Sequence, residues 1–257
     1  MTERQMDSIA PRQDTLFVSS LEKGMRVLAA FDETHSEMGL RDLAAATGLD
    51  KSATQRFANT FHRLGYLEKD PQTRRYRPAI KFLELANAFL FADETVRAAM
   101  PRLIDLRQAL GETVNLALLD GDSIVYAARM PNARTSYAAT IVGRRAPALN
   151  TSSGRAMLSL RPPEERRRCA EEWPMKRYTQ NTVMDRMAVL RLIDEAAETG
   201  YAIGYDELLM NEVGIAAPVR GKRRTAAIQC SVSGLKWDRA RIEAAIVPHL
   251  VDAANSL

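Results

Sequence analysis

Gly39-Leu40-Arg41-Asp42-Leu43-Ala44-Ala45-Ala46-Thr47-Gly48-Leu49-Asp50-Lys51-Ser52-Ala53-Thr54-Gln55-Arg56-Phe57 is the stretch from which the fold is read. Leu40, Leu43, Ala44 and Thr47 recur at helical spacing, which predicts a short amphipathic helix. Gly48 suits the left-handed residue that ends a helix. Leu49 plugs the turn, and Asp50 is placed to cap the helix that follows. The pattern is helix, four-residue turn, helix.

The second helix is predicted from Lys51 to Leu64, with two unlike faces. Ala53, Phe57, Phe61 and Leu64 repeat at helical spacing and are expected to pack inward. Ser52, Gln55, Arg56, Asn59 and Arg63 lie on the other side. Hydroxyl, amide and guanidinium groups are the donors and acceptors that read base edges and phosphates. A merely solvated helix more often carries Glu and Lys; here no acid lies between Asp50 and Glu68.

Beyond Gly65 the sequence predicts a hairpin. Tyr66-Leu67-Glu68-Lys69 runs into Asp70-Pro71-Gln72-Thr73, where Asp and Pro suit a type I turn. Arg74-Arg75-Tyr76-Arg77 returns with three positive charges. A helix-turn-helix followed by a basic hairpin is a winged helix, whose wing can approach the backbone or minor groove beside a helix in the major groove. A small helical unit with a solvated basic hairpin explains the same charge pattern without DNA. Upstream, Ser19-Ser20-Leu21-Glu22 predicts a capped helix start. Leu21, Met25, Leu28 and Phe31 form its expected apolar face, and residues 1–16 read as a disordered lead-in.

The charge distribution agrees with this placement. The 257 residues hold 36 basic and 32 acidic side chains, a net of +4. That excess is too small to imply a nucleic-acid partner. Residues 50–78, however, hold seven basic side chains (Lys51, Arg56, Arg63, Lys69, Arg74, Arg75 and Arg77) against three acids (Asp50, Glu68 and Asp70).

After Pro78 a helix is predicted from Ala79 to about Phe91. Ile80, Leu83, Leu85 and Phe89 exceed one narrow face, the mark of a linker or dimer helix. Another follows from Glu94 to Leu110, with Pro101 marking a kink or a new start. Val114–Leu119 and Ser123–Ala128 read as a hairpin around Asp120-Gly121-Asp122, and a third strand is expected over Ser136–Val142. Helices over 153–160, 162–172 and 184–199 precede a strand beginning at Gly200. Two more strands, Val213–Val219 and Thr225–Ser233, lead to a final helix, Trp237–Asn255. The class is α+β, a mainly antiparallel sheet covered by helices.

Taken in order, the motifs resemble the IclR family of bacterial transcription regulators over roughly residues 17–255. Ser20-Leu21-Glu22-Lys23-Gly24, Leu43-Ala44, Lys51-Ser52-Ala53-Thr54, Leu64-Gly65-Tyr66-Leu67 and Asp70-Pro71 with Tyr76 carry the likeness in the first part. Ser153-Gly154-Arg155-Ala156-Met157-Leu158, Gly200-Tyr201-Ala202, Glu207, Ile215-Ala216-Ala217-Pro218-Val219 and Ser231-Val232-Ser233-Gly234 carry it in the second. The resemblance implies a winged helix-turn-helix over 17–78, a linker helix over 79–95 and a GAF-like effector and oligomerisation domain over 96–257. It also implies a homodimer or a dimer of dimers on a pseudo-palindromic double-stranded operator. Small organic or aromatic effectors would bind at Thr151, Ser152, Ser153, Glu207, Gly214, Ser231 and Ser233. The chain departs from the family pattern twice. Gly204-Tyr205 stands where many members have an acidic pair, and Arg74 stands where the wing usually has glycine.

Physical reasoning adds to that list. The helix beginning near Ser153 offers free N–H groups and a positive dipole end to an anion. Tyr126 and Tyr205 are expected to stack on or hydrogen-bond a ring. On the DNA side, Gln55 and Arg56 are expected on base edges, Ser52 and Thr54 on phosphate or base, and Lys51, Arg74 and Arg75 on phosphates. Asn59 completes the outward face.

Enzyme chemistry finds little support in the sequence. Cys169 and Cys230 match no metal spacing, and His35, His62 and His249 form no HExxH. Two SxxK matches, at Ser20 and Ser233, lack the companion motifs of serine acylases. No GxSxG, P-loop or GxGxxG is present. The expectation is a cytoplasmic regulator with no catalytic residue, cofactor or metal, and no membrane partner. The alternative is a small-molecule-binding or metabolic protein whose N-terminal domain serves protein contacts.

Overall fold

The computed structural model describes residues 16–132, 142–220 and 224–257. The chain divides into two compact units, one ending at Ala88 and the other running from Phe89 to Leu257.

The first unit contains α1 (Ser19–Ala29), α2 (Leu40–Thr47), α3 (Lys51–Arg63), β1 (Leu67–Lys69) and β2 (Tyr76–Pro78). Gly48 takes φ 67° and ends α2, and its N–H donates to Ala44 O at 3.0 Å. The Asp50 side chain accepts from Ala53 N at 2.8 Å and starts α3. Val27, Met38, Leu43, Ala58, Leu67 and Tyr76 form the core, with Leu49, Phe57 and Phe61 packed against it. Burying a Leu or Val side chain contributes about 1.5–3 kcal/mol, so this small cluster is what holds α2 and α3 at their turn. Met38 and Tyr76 exchange backbone hydrogen bonds of 2.9 and 2.8 Å, which ties the hairpin back to the entrance of α2.

Three sequence expectations change here. Ser19 and Glu22 form no capping box: Val18 precedes α1 with no side-chain cap, and Glu22 pairs with Arg26 at 2.9 Å. The face of α1 that is buried is Gly24 and Val27, leaving Leu21 and Met25 exposed. In α3 the buried residues are Thr54 and Ala58, while Leu64 is 53% exposed. Small side chains at 54 and 58 let the helix approach closely, and Phe57 and Phe61 flank that contact on one side.

α4 (Phe82–Ala92) follows, with no buried residue among its eleven. The second unit then runs α5 (Glu94–Leu110), β3 (Thr113–Asp120), β4 (Ser123–Met130), β5 (Arg145–Pro147), a 3-10 turn (Ala148–Asn150), α6 (Ser152–Leu158), α7 (Pro163–Glu172) and α8 (Arg186–Thr199). It closes with β6 (Ala202–Tyr205), β7 (Glu212–Arg220), β8 (Thr225–Ser233), α9 (Arg239–Ala245) and α10 (Val247–Asn255). The strands form one antiparallel sheet in the order β5-β4-β3-β8-β7-β6. Val114, Leu116, Ile215, Ile228 and Cys230 face α5, α9 and α10. Ile124, Tyr126 and Ala216 join the cluster that holds α6, Cys169 of α7 and Val189 of α8.

Pro101 neither breaks nor restarts α5, which runs through it unbroken. The single C-terminal helix expected over Trp237–Asn255 is two helices, because Pro248 has no N–H to continue the ladder and its ring crowds the carbonyl four residues back. Gly200 belongs to the end of α8, at φ 84°, and the strand starts at Ala202. The strand expected over Ser136–Val142 lies almost wholly outside the described residues; the neighbour of β4 is Arg145–Pro147.

Candidate functional site

The first unit presents one chemically consistent face. Lys51, Ser52, Gln55, Arg56, Asn59 and Arg63 are all exposed along α3. Among the described residues none of these six side chains is tied up in a hydrogen bond or ion pair. Thr54 is a correction: it is fully buried and its hydroxyl donates to Asp50 O at 2.9 Å, so it presents nothing to a duplex.

The wing is built by Asp70. Its carboxylate accepts from Gln72 N at 2.8 Å and Thr73 N at 2.6 Å, and these bonds hold its carboxyl below the usual range. The loop is one residue longer than a simple type I turn, because Arg74 N donates to Asp70 O and Asp70 N to Arg75 O. Arg74 sits at φ 61° at the tip, the conformation that favours glycine. It is exposed, whereas Arg75 folds back, 2.7 Å from Glu37 O and 3.4 Å from Asp42. Arg75 therefore braces the wing against α2. Arg77 pairs with Glu68 at 2.8 Å across the hairpin.

In the second unit, register decides which side chains meet. Arg129, Asn115, Gln229, Ala216 and Ala202 stand opposite one another across five strands. Two residues along runs Thr113, Ser231, Gly214 and Gly204, and then Ser233 opposite Glu212. Because strand side chains alternate, all these positions share the sheet face that meets α6. It is a polar floor inside an otherwise apolar unit. Gly214 is fixed by crowding: a Cβ there would lie 2.9 Å from Ser152 Oγ and 3.0 Å from Gln229 Nε2. Gly154 in α6 is fixed more tightly, since a Cβ would come within 2.1 Å of Ala148 O. That contact seats α6 on the 3-10 turn.

Between floor and α6 lies a cavity of about 20 Å³, lined in part by Tyr126, Thr151, Ser152, Glu207, Glu212, Gly214 and Gln229. Five expected residues thus come together there: Tyr126, Thr151, Ser152, Glu207 and Gly214. Two of them have prior engagements. Thr151 caps α6, accepting from Gly154 N at 2.9 Å. Glu207 is bound to Arg155, with Nη1 donating to Oε1 at 2.5 Å and Nη2 to Oε2 at 2.6 Å. Arg155 is fully buried and its Nε donates to Leu149 O at 2.9 Å. Ser231 and Ser233 lie on the floor outside the cavity wall. Ser153 is fully buried, and its hydroxyl has no partner among the described residues. Tyr205 is a second correction: Gly204 takes the cavity side of β6, so alternation turns Tyr205 to the other face. It is 40% exposed there and shares a separate depression with Tyr201 and Arg239.

Sequence reading missed Asn115, Gln229 and Glu212. The available signal was local for two of them: Asn115 stands between Val114 and Leu116, and Gln229 between Ile228 and Cys230. Burial pushes the Glu212 carboxyl up, partly offset by Arg129 and Arg144. Burial likewise pushes the Tyr126 phenol up. With Arg155 paired to Glu207, the other charged residue lining the cavity is Glu212, and Arg129 and Arg144 lie close enough to act on its charge.

A winged helix with an open polar and basic recognition face, followed by an α+β unit with a polar floor under a short helix, defines a ligand-responsive DNA-binding regulator. The comparisons with known proteins give the family. The family model for the IclR helix-turn-helix domain matches residues 20–71, and that for the bacterial transcriptional regulator IclR C-terminal domain matches residues 90–257. The HTH-type transcriptional regulator KdgR of Escherichia coli strain K12 is 30% identical over 202 residues, covering 79% of this chain and 76% of its own length. The crystal structure of an IclR transcriptional regulator from Alicyclobacillus acidocaldarius is 25% identical and superposes with a TM-score of 0.81, covering 93% of this chain and 97% of that one. An IclR homologue from Microbacterium hydrocarbonoxydans, complexed with 4-hydroxybenzoate, is 24% identical with a TM-score of 0.74, covering 91% and 95% of the two chains. The protein belongs to the IclR family of bacterial helix-turn-helix transcriptional regulators.

Proposed function

We propose that this regulator binds a pseudo-palindromic operator as a dimer or dimer of dimers and releases or re-spaces its recognition helices when a small organic or aromatic acid enters the second unit. The observation that carries the DNA half is the α3 face, six exposed polar and basic side chains with no internal partners. Gln55 and Arg56 would meet base edges and Asn59 the groove wall, while Ser52, Lys51 and Arg74 hold phosphates. Arg75 would act by bracing the wing. Such a protein works beside the chromosome, in the cytoplasm.

The effector half is supported by the polar floor, by the positive charges of Arg129 and Arg144 acting on Glu212 of the cavity wall, and by the relative that carries 4-hydroxybenzoate. Regulation would be a population shift, in which the effector favours one arrangement of the assembly over another. Electrophoretic shift with DNA from upstream of the protein's own gene, with and without a panel of small acids, tests the whole reading. No shift at any protein concentration would sink it.

Two substitutions separate its parts. Arg74→Ala should weaken operator and random DNA alike and flatten the salt dependence of binding by about one unit. An unchanged slope would remove Arg74 from the phosphate contacts. Gly214→Val should abolish effector-dependent heat in calorimetry while leaving operator binding intact, because its side chain claims the space held by Ser152 and Gln229. An unaltered effector affinity would place the ligand elsewhere.

A further inference from the structure

We infer that Asn115 is a specificity determinant of the effector site, selecting ligands that bring a hydrogen-bond donor, such as a ring or chain hydroxyl, to the middle of the sheet. The inference rests on the reading of this face as the effector site.

Asn115 is fully buried on β3, one of the two central strands, between Val114 and Leu116 of the opposite core. Its Nδ2 donates to Gln229 Oε1 at 2.6 Å, and Gln229 Nε2 donates to Ser231 Oγ at 2.9 Å. The chain of bonds runs one way, so it begins at an acceptor: Asn115 Oδ1 is buried and has no partner among the described residues. Buried polar atoms are nearly always paired, and an exception in a folded protein calls for a cause. A ligand donor would supply one here: Asn115 itself stands behind the cavity wall, bonded to Gln229, which lines it.

The neighbours agree with that use. Gly214, beside Gln229 and Ser152, removes the side chain that would fill the space. The cavity of about 20 Å³ is far smaller than a benzoate-sized ligand, so entry requires its walls to part. A ligand that brings a donor then completes the Asn115–Gln229–Ser231 chain. One without a donor leaves the acceptor dry, and sites built to bond a hydroxyl reject analogues lacking it strongly.

Calorimetry of the full chain with benzoate, 4-hydroxybenzoate and 4-methoxybenzoate tests this. The expected result is 4-hydroxybenzoate bound about tenfold or more tightly than the other two. In Asn115→Leu that preference should vanish. Equal binding of all three by the unaltered protein overturns the inference and leaves the effector reading standing. So does a hydroxyl preference that survives in Asn115→Leu, or a preference for the methyl ether, which would mean that both amides are turned and a donor faces the ligand. No binding of any of the three overturns the inference, and the effector reading is then decided separately by the wider panel of small acids. If Asn115→Leu does not fold, Asn115→Asp serves: it keeps an acceptor and should retain discrimination between hydroxyl and ether.

Discussion

Glu207→Ala should destabilise the second unit by about 3–5 kcal/mol, a fall on the order of 10 °C in its melting midpoint. The reason is what the substitution leaves behind. Arg155 is completely buried, its guanidinium bonded to both carboxylate oxygens and to Leu149 O. Without Glu207 a positive charge stays in the interior with one carbonyl for company. The pair also links α6 to the segment before β7, and Glu207 Oε2 accepts from Val183 N at 3.2 Å as well. Replacing both partners, Arg155→Met with Glu207→Met, should recover most of the loss, because no charge is then stranded. Thermal melts of the two proteins decide the matter. A single substitution as mild as the double would show that water reaches Arg155 and that the pair is not a closed internal ion pair.

The second large effect falls on DNA. Arg56→Ala should cost about 1–3 kcal/mol of preference for the operator over random duplex, roughly fivefold to 150-fold. General affinity at fixed salt should fall much less. Arg56 is exposed on α3, with its guanidinium uncommitted, and bidentate pairing of arginine with guanine is the commonest base-specific contact such a helix makes. Thr54→Val is the control on the same helix. Thr54 is buried against the domain core, so this change should alter stability and leave the preference untouched. Competition binding with labelled operator measures both. If Arg56→Ala lowers affinity for operator and random DNA by the same factor, Arg56 contacts phosphate and another residue reads the bases.

Local signals in the chain carried the reading far. Gly48 and Asp50 mark the turn between α2 and α3 by their own backbone needs, and both behave as their residue types dictate. The wing followed from Asp70-Pro71 for the same reason. The phase of α3 was harder, because apolar counting favours Ala53 and Leu64, whereas the neighbouring helices select Thr54 and Ala58 for their small size. In the second unit the capping and cavity-lining residues near α6 were legible from a contiguous motif. The ion pair of Arg155 with Glu207, 52 residues apart, was not, nor was the bond of Asn115 to Gln229, 114 residues apart. Both depend on which strands and helices become neighbours, and nothing in either residue's local sequence states that. Tyr205 was misplaced by the same gap, since its face is fixed by the pairing of Gly204 with Gly214.

The adjacency of β3 and β8 has a consequence in time as well as in space. The recognition helix and wing are complete within the first 78 residues, mostly through contacts between near neighbours. The floor of the second unit needs its central pair, and β8 ends at Ser233. Pairings so distant in sequence form late and slowly. On the ribosome the DNA-binding part can therefore be finished while the sensing part still waits for its last strand, and a chain cut short before residue 225 would carry a complete recognition helix and wing on a second unit that lacks its central strand pair.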